Sequence, residues 1–319
     1  MKTQERIKIG ISACLLGHEV RFDSGHKRAE YVTDQLAEYF DFAPVCPEVA
    51  IGMSTPRQPI RLVAVGTEIR ARGSRDASLD VTDALADFGR KMAVKLADIS
   101  GYIVKKDSPS CGLERVKVYT ERPNTPAQRT GTGAYTRAFL ASNPLIPVEE
   151  EGRLNDPVLR ENFIERVFTY HRWQKLQRDG LTPARLVQFH TEHKYIVMSR
   201  GKDAYVELGR MIAQAGLCDP GELAARYIAQ LMLVLQTPAS RKRHTNVLMH
   251  LMGYFKTQLS GADKSELLKL IDEYRVGRLP LILPLTMLRH YLRRFPNAYV
   301  LGQRYLEPYP DALMLRNAI

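Results

Sequence analysis

Cysteine is scarce in this chain: four residues in 319. That is too few for a disulfide framework, and the expectation is reduced thiols. No run of 18 or more apolar residues occurs, which argues against a membrane-spanning helix. The opening MKTQERIKIGIS has no apolar stretch of signal-peptide length, so a cytoplasmic protein with no membrane partner is expected. Internal repeats and low-complexity segments are also lacking. With 45% apolar and 25% charged residues, the composition excludes a largely disordered chain. A length of 319 residues suits two domains or one large α/β unit.

Basic charge is what the chain has in excess, with a formal net of +11. Residues 1–150 hold 21 basic and 19 acidic side chains, whereas 151–319 hold 25 and 16. The imbalance sits mostly in the second half. It suits a polyanionic partner such as nucleic acid, although many basic proteins bind none.

The first half alternates strand and helix signals. Arg6–Ser12 reads as a strand, Ala29–Phe40 as a helix and Phe42–Val45 as a second strand. Ile60–Val65 and Glu68–Ala71 flank Gly66-Thr67, a hairpin signal. Asp80–Ile99 has Val81, Leu85, Phe88, Met92 and Leu96 on one helical face, with Asp80 placed to cap it. Tyr102–Lys105 and Val116–Tyr119 read as further strands. This rhythm predicts an α/β domain with a mainly parallel sheet and flanking helices.

The second half shows helical periodicity alone. Thr182-Pro183 and Asp219-Pro220 are cap-plus-proline helix starts. Further helices are expected over Asp203–Ala215, Ser240–Leu259, Ala262–Val276 and Leu281–Phe295. The expected organisation is an α/β domain over 1–155, a helical linker over 156–181 and an all-α domain over 182–319.

Three of the cysteines fall at strand ends. Cys14 lies two residues beyond IKIGIS, Cys46 directly follows FAPV, and Cys111 sits in KKDSPSCG after YIVKK. In a parallel sheet such ends share one edge, where α/β proteins build their sites. Three readings remain open from spacing alone. The thiols are small apolar core residues, a zinc site, or ligands of an iron–sulfur cluster with one iron left open. Cys218 stands apart in the helical half and reads as a structural thiol or a fourth ligand.

Other loop residues are candidates beside them. Glu48 can serve as a general acid/base or as a partner to a metal thiolate. Ser108 and Ser110 can hydrogen-bond a cluster sulfur or a substrate oxygen, or only shape the turn. Asp23, Ser24 and Gly25 need no more than a turn to explain them. Arg57 and Arg61 can meet a nucleotide phosphate or be plain surface charge. In the helical half the basic candidates for phosphate contact are Arg241, Lys242, Arg243, His244, Lys256, Arg289, Arg293 and Arg294. Charge at the start of the helix opened by Arg241–His244 is unfavourable for its dipole, which a partner phosphate would offset. Tyr195, Tyr254 and Tyr291 can stack on bases or belong to the core.

Together, ISACLLGHEVRFDSG, PVCPEVAIGMSTPRQP and KKDSPSCG resemble the three cysteine motifs of the TudS (DUF523) family of thiouracil desulfidases, over roughly residues 6–150. FHTEHKYIVMSRG and SRKRHTNVLMHLMGYFK resemble the DUF1722 domain, and the two-domain fusion is similar to bacterial tRNA 4-thiouridine desulfidases. The resemblance implies a [4Fe-4S] cluster on Cys14, Cys46 and Cys111. The family's acidic residue would fall on Glu48 and its serines on Ser108 and Ser110, with the helical domain as the tRNA-binding element. It implies a non-redox, hydrolytic desulfidase that converts 4-thiouridine in tRNA to uridine and releases hydrosulfide. The alternatives are an enzyme acting on free thiouracil or thiouridine nucleotides, and a zinc-stabilised RNA-binding protein without catalysis.

Overall fold

The run IKIGIS forms the first strand, and every residue in it except Lys8 is buried. A strand covered on both faces reads as a near-continuous apolar run, and that is the mark of a parallel sheet packed on both sides. The structure, a computed structural model, describes residues 6–122 and 125–319. These fall into two compact units, one running to Asn155 and the other from Asp156 to Ile319.

In chain order the first unit contains β1 (Ile7–Ser12), β2 (Phe40–Val45), α1 (Pro47–Ala50), β3 (Ile60–Val65), β4 (Glu68–Gly73), α2 (Thr82–Lys95), β5 (Tyr102–Val104), β6 (Val116–Thr120), β7 (Gln128–Gly131), α3 (Ala134–Ser142) and β8 (Val148–Glu150). One sheet has the order β2-β1-β5-β8, and all its pairings are parallel. β1 is therefore flanked by β2 on one side and β5 on the other. The chain reverses its direction of sheet-building there, which opens a crevice beyond the carboxyl ends.

A second sheet, β4-β3-β6-β7, is mixed: β3 runs antiparallel to β4 and parallel to β6, and β6 runs antiparallel to β7. The β3–β4 hairpin follows the sequence expectation, with Gly66 at φ +57° and Val65 paired to Glu68. β7, with the sequence QRTG, carries no apolar alternation and gives no strand signal.

Two local expectations are corrected. The apolar spacing over Ala29–Phe40 does not make a regular helix. It makes a π-helical turn over Tyr31–Gln35 and a 3-10 turn over Leu36–Glu38, and Phe40 starts β2. The Arg28, Thr33 and Asp34 side chains hydrogen-bond one another there, and such local bonds compete with regular helix. Helix α2 begins at Thr82, later than expected; Asp80 Oδ1 still accepts from the Thr82 amide at 3.1 Å.

The second unit contains α4 (Pro157–Arg178), α5 (Pro183–Met198), α6 (Lys202–Ile212), α7 (Pro220–Leu235), α8 (Arg241–Gly253), α9 (Gly261–Arg275), α10 (Ile282–Arg294) and α11 (Ala298–Leu301). Asp156, Thr182, Asp219, Ser240 and Ser260 cap five of them through side-chain oxygens that accept backbone amides. The segment 156–181, read from the sequence as a linker, lies in this unit. Its helix α4 buries Phe163, Ile164, Val167 and Trp173, and Trp173 packs edge-on against Phe189 of α5. Among the described residues no helix is long and apolar enough to cross a membrane.

Candidate active site

The three strand ends deliver the three thiols to one cavity. β1 ends at Ser12, and Cys14 lies in the 3-10 turn Ala13–Leu16 that follows. β2 ends at Val45, and Cys46 is the residue from which α1 departs, with Pro47 in its first turn. Cys111 follows β5 on the loop KKDSPSCG. All three line a cavity of about 290 Å³, together with Ser12, Arg21, Lys27, Glu48, Arg57, Lys105 and Ser108. Cys14 and Cys111 are buried and Cys46 is half-buried; none is in a disulfide.

The Cys111 loop is held by the start of α3. The amides of Ala134 and Tyr135 donate to the carbonyls of Pro109 and Ser110 at 3.0 and 3.1 Å, and Thr136 Oγ1 donates to the Cys111 carbonyl at 2.7 Å. The free amides of a helix N-terminus thus fasten the loop. Gly133 makes the approach possible, because a Cβ there would lie 2.4 Å from the Ser110 carbonyl oxygen. Ser108 Oγ accepts from the Cys111 amide at 3.0 Å and the Ser110 amide at 3.3 Å, so Ser108 shapes the turn. On the far side, Glu150 accepts from the Leu113 amide at 2.9 Å.

Glu48 is clamped. Its Oε1 accepts from Ser110 Oγ at 2.7 Å, and its Oε2 accepts from Arg57 Nε at 2.7 Å. Arg57 also donates to the carbonyls of Val20 at 2.9 Å and Ser54 at 3.1 Å. Its side chain, 6% exposed, is committed to Glu48, the backbone and the Thr55 hydroxyl. Arg57 is thus not free for the phosphate contact considered from the sequence. Ser12 is a site residue that sequence reasoning missed. Its hydroxyl accepts from the Lys105 amide at 3.0 Å and interacts with the Cys111 sulfur, favouring the thiolate. The only signal for it was its place two residues before Cys14.

Burial pushes the Cys14 thiol up to about 11, with Arg21 and Lys105 acting the other way and Cys46 adding to the rise. Burial also raises Cys46 and Cys111, and Cys111 is raised further by Glu48 and by the other two thiols. The mutual influence places the three sulfurs within each other's electrostatic reach. Burial thus disfavours the thiolates here, and a bound cationic centre would favour them. Among the described residues no three His, Cys, Asp or Glu side chains are close enough to grip one metal ion. Three thiols lining one cavity are a soft donor set of the kind that suits an iron–sulfur cluster.

The remaining candidates fall elsewhere. Asp23, Ser24 and Gly25 form a turn, with Ser24 at φ +58° and the Gly25 amide on Asp23. Cys218 lies in the second unit after α6, with its sulfur toward the Gln214 carbonyl. His244 is a correction. It is 3% exposed, its Nδ1 lies 2.8 Å from the Tyr305 hydroxyl, and burial holds its pKa well below the usual value, so it is no surface cation. Arg241 donates to the carbonyls of Tyr274 and Leu279 at 3.2 and 3.3 Å, so carbonyl dipoles beyond its own helix offset its charge. Arg289 is spent on Asp311. Lys242, Lys256, Arg293 and Arg294 are exposed and Arg243 is half-buried. Tyr195 and Tyr291 are core residues, while Tyr254 is 38% exposed and stacks on Tyr299.

A family described as 2-thiouracil desulfurase matches residues 9–151, and one described as a protein of unknown function, DUF1722, matches 194–310. YbgA of Escherichia coli (strain K12) is 33% identical over 154 residues, 48% of this chain and 91% of the relative. YbbK of Bacillus subtilis (strain 168) is 31% identical over 152 residues, 46% of this chain and 97% of the relative. The solved [4Fe-4S]-dependent thiouracil desulfidase TudS is 31% identical, covers 47% of this chain and 95% of its own, and superposes with a TM-score of 0.37. The chain belongs to the 2-thiouracil desulfurase family, with a DUF1722 region behind the family domain.

Proposed function

We propose that the protein is a [4Fe-4S]-dependent desulfidase that hydrolyses 4-thiouridine in tRNA to uridine and releases hydrosulfide. The observation that carries this reading is the cavity into which Cys14, Cys46 and Cys111 converge beside the clamped Glu48. Those three thiolates would hold the cluster. When bound, it supplies a thiophilic, electrophilic iron for the thiocarbonyl sulfur.

The chain's own residues do the rest. Glu48 receives a proton from the attacking water at a carboxylate oxygen. Ser110 on Oε1 and Arg57 on Oε2 hold the carboxylate plane in one orientation, so the proton acceptor is set in place before substrate arrives. The water oxygen ends on the pyrimidine carbon and sulfur leaves as hydrosulfide, with no net electron transfer. Lys27 and Lys106 at the cavity wall favour an anionic substrate, whereas Lys105 is paired with Glu151.

The helical unit supplies tRNA binding in this reading, with Lys242, Arg243, Lys256, Arg293 and Arg294 as phosphate contacts. A free thiopyrimidine is the second reading. It is favoured by the family's description and by a cavity of about 290 Å³, which admits a base without its chain. Anaerobic incubation of the reconstituted full chain with thiolated tRNA, and separately with thiouracil, decides between them. Loss of the tRNA thiocarbonyl absorbance with recovery of uridine supports the first, and turnover of thiouracil alone supports the second.

A further inference from the structure

The second sheet carries a row of cations that runs across all four of its strands. Arg72 of β4 pairs in register with Arg61 of β3. Leu62 pairs with Val118, which sets Arg61 beside Lys117 of β6, and Lys117 pairs with Arg129 of β7. Residues directly opposite one another point to the same face. Leu62, Val116 and Val118 fill the other face, where they are buried. Like charges directly opposite in a sheet are destabilising, so this row costs the fold stability.

Acidic partners answer only part of it. Arg72 meets Asp80 and Glu121, each at 3.1 Å, and Arg129 meets Asp107 at 3.0 Å. Among the described residues Arg61 and Lys117, the middle of the row, have no carboxylate within ion-pair distance. The Arg61 guanidinium lies over the Tyr119 ring, 5.1 Å from its centroid; Arg61 is exposed and Tyr119 half-buried. The excess is local, because the first 150 residues are close to charge balance.

This face adjoins the three-thiol cavity. A cleft of about 270 Å³ is lined by Arg61, Lys117, Tyr119 and Arg129 with Leu62 and Val116 at its base, and it shares Ile60, Asp107 and Pro109 with that cavity. A base seated among the thiols inside an RNA must lead its ribose and phosphates out along a neighbouring surface. A free base has nothing to place there. Arg61 and Lys117 answer phosphate charge, and Tyr119 offers an aromatic face to a ribose or a flanking base.

We infer that the Arg72–Arg61–Lys117–Arg129 face and its cleft bind the ribose–phosphate chain next to the target base, so the family domain itself grips RNA. This rests on the tRNA reading above and extends it. The like-charge row persists because a polyanion completes it.

The test uses the reconstituted full chain and thiolated and unthiolated tRNA. For Arg61→Gln with Lys117→Gln, tRNA binding should weaken on the order of tenfold near physiological salt. The slope of log affinity against log salt should fall by about one to two units, the scale of two lost phosphate contacts. The loss should fall on KM for thiolated tRNA rather than on kcat. The charge-keeping pair Arg61→Lys with Lys117→Arg should restore most of the affinity, which a loss through misfolding would not show. The neutral variant should melt no lower than wild type, because it removes a repulsion. Unchanged affinity and slope in the neutral variant, with wild type binding tRNA, would overturn this face alone. Failure of wild type to bind tRNA would overturn the tRNA reading and this inference with it.

Discussion

The two units use charged and reactive residues in opposite ways. In the first, chemistry-bearing side chains distant in sequence are brought together at the ends of β2, β1 and β5, and the loops that carry them are fastened amide by amide. In the second, cations adjacent in sequence are dispersed. Of the run Arg241–His244, the first is tied to two carbonyls and the last is buried. Arg200 and Arg316 are also buried, set against Glu165 and Glu161. A helix turns consecutive residues through 100° each, so a basic tetrapeptide spreads over the whole circumference. A parallel sheet gathers residues tens of positions apart onto one edge.

The largest expected effect divides the thiols. Cys14→Ala, Cys46→Ala and Cys111→Ala should each lose iron after anaerobic reconstitution by more than the roughly 10–100-fold that outer-shell partners cost. Cys218→Ala should keep it, since Cys218 is not among the residues that line the three-thiol cavity. Iron analysis of the four variants reads this directly, and iron loss in Cys218→Ala would erase the division.

Next comes the clamp on Glu48. Glu48→Gln keeps shape and polarity but cannot take the proton, so turnover should fall about 10²-fold or more with the visible spectrum of the cluster intact. Ser110→Ala removes one hydrogen bond of about 1 kcal/mol and should cost about fivefold. Wild-type turnover in Glu48→Gln would take Glu48 out of the reaction.

The units should also part in acid. Burial lowers His190 to about 4 and holds His193 and His244 well below the ordinary value. The folded state therefore prefers neutral imidazole. This stability is complete above about pH 6.5 and is lost as pH falls toward 4, up to about 3 kcal/mol for His190 alone. His18 and His26, the histidines of the first unit, are exposed. Trp173 is the single tryptophan, buried in the second unit, so its fluorescence during urea unfolding reports that unit. A midpoint that does not fall between pH 7 and pH 5 would contradict the buried-histidine account.

The smallest effect concerns tRNA. Neutralising Lys242 and Arg243 together should flatten the salt dependence of tRNA binding by at most about two units of slope, and by less than adding Arg241 would suggest from sequence alone. A drop of three units when Arg241 is included would show that its carbonyl contacts do not occupy it.

The sequence made some of this legible and hid the rest for definite reasons. The strand-end placement of Cys14, Cys46 and Cys111 was readable because a parallel strand announces itself as an apolar run and its end as a polar loop. Helix starts at Thr182-Pro183 and Asp219-Pro220 were readable because a cap is a local event. Arg57 was misjudged because nothing in a sequence says that a guanidinium folds back on a carboxylate nine residues earlier. Gly133 and Thr136 went unseen because they act on a loop more than twenty residues away. The cation row needed the register of four strands, one of them with no apolar pattern.

The central claim is that three thiols at neighbouring strand ends hold one cluster. Iron, acid-labile sulfide and zinc content of the full chain, isolated and kept without oxygen, tests it most directly. The account predicts about four irons and four sulfides per chain with negligible zinc, as a [4Fe-4S] centre requires. One zinc per chain, with iron and sulfide near zero, would contradict it.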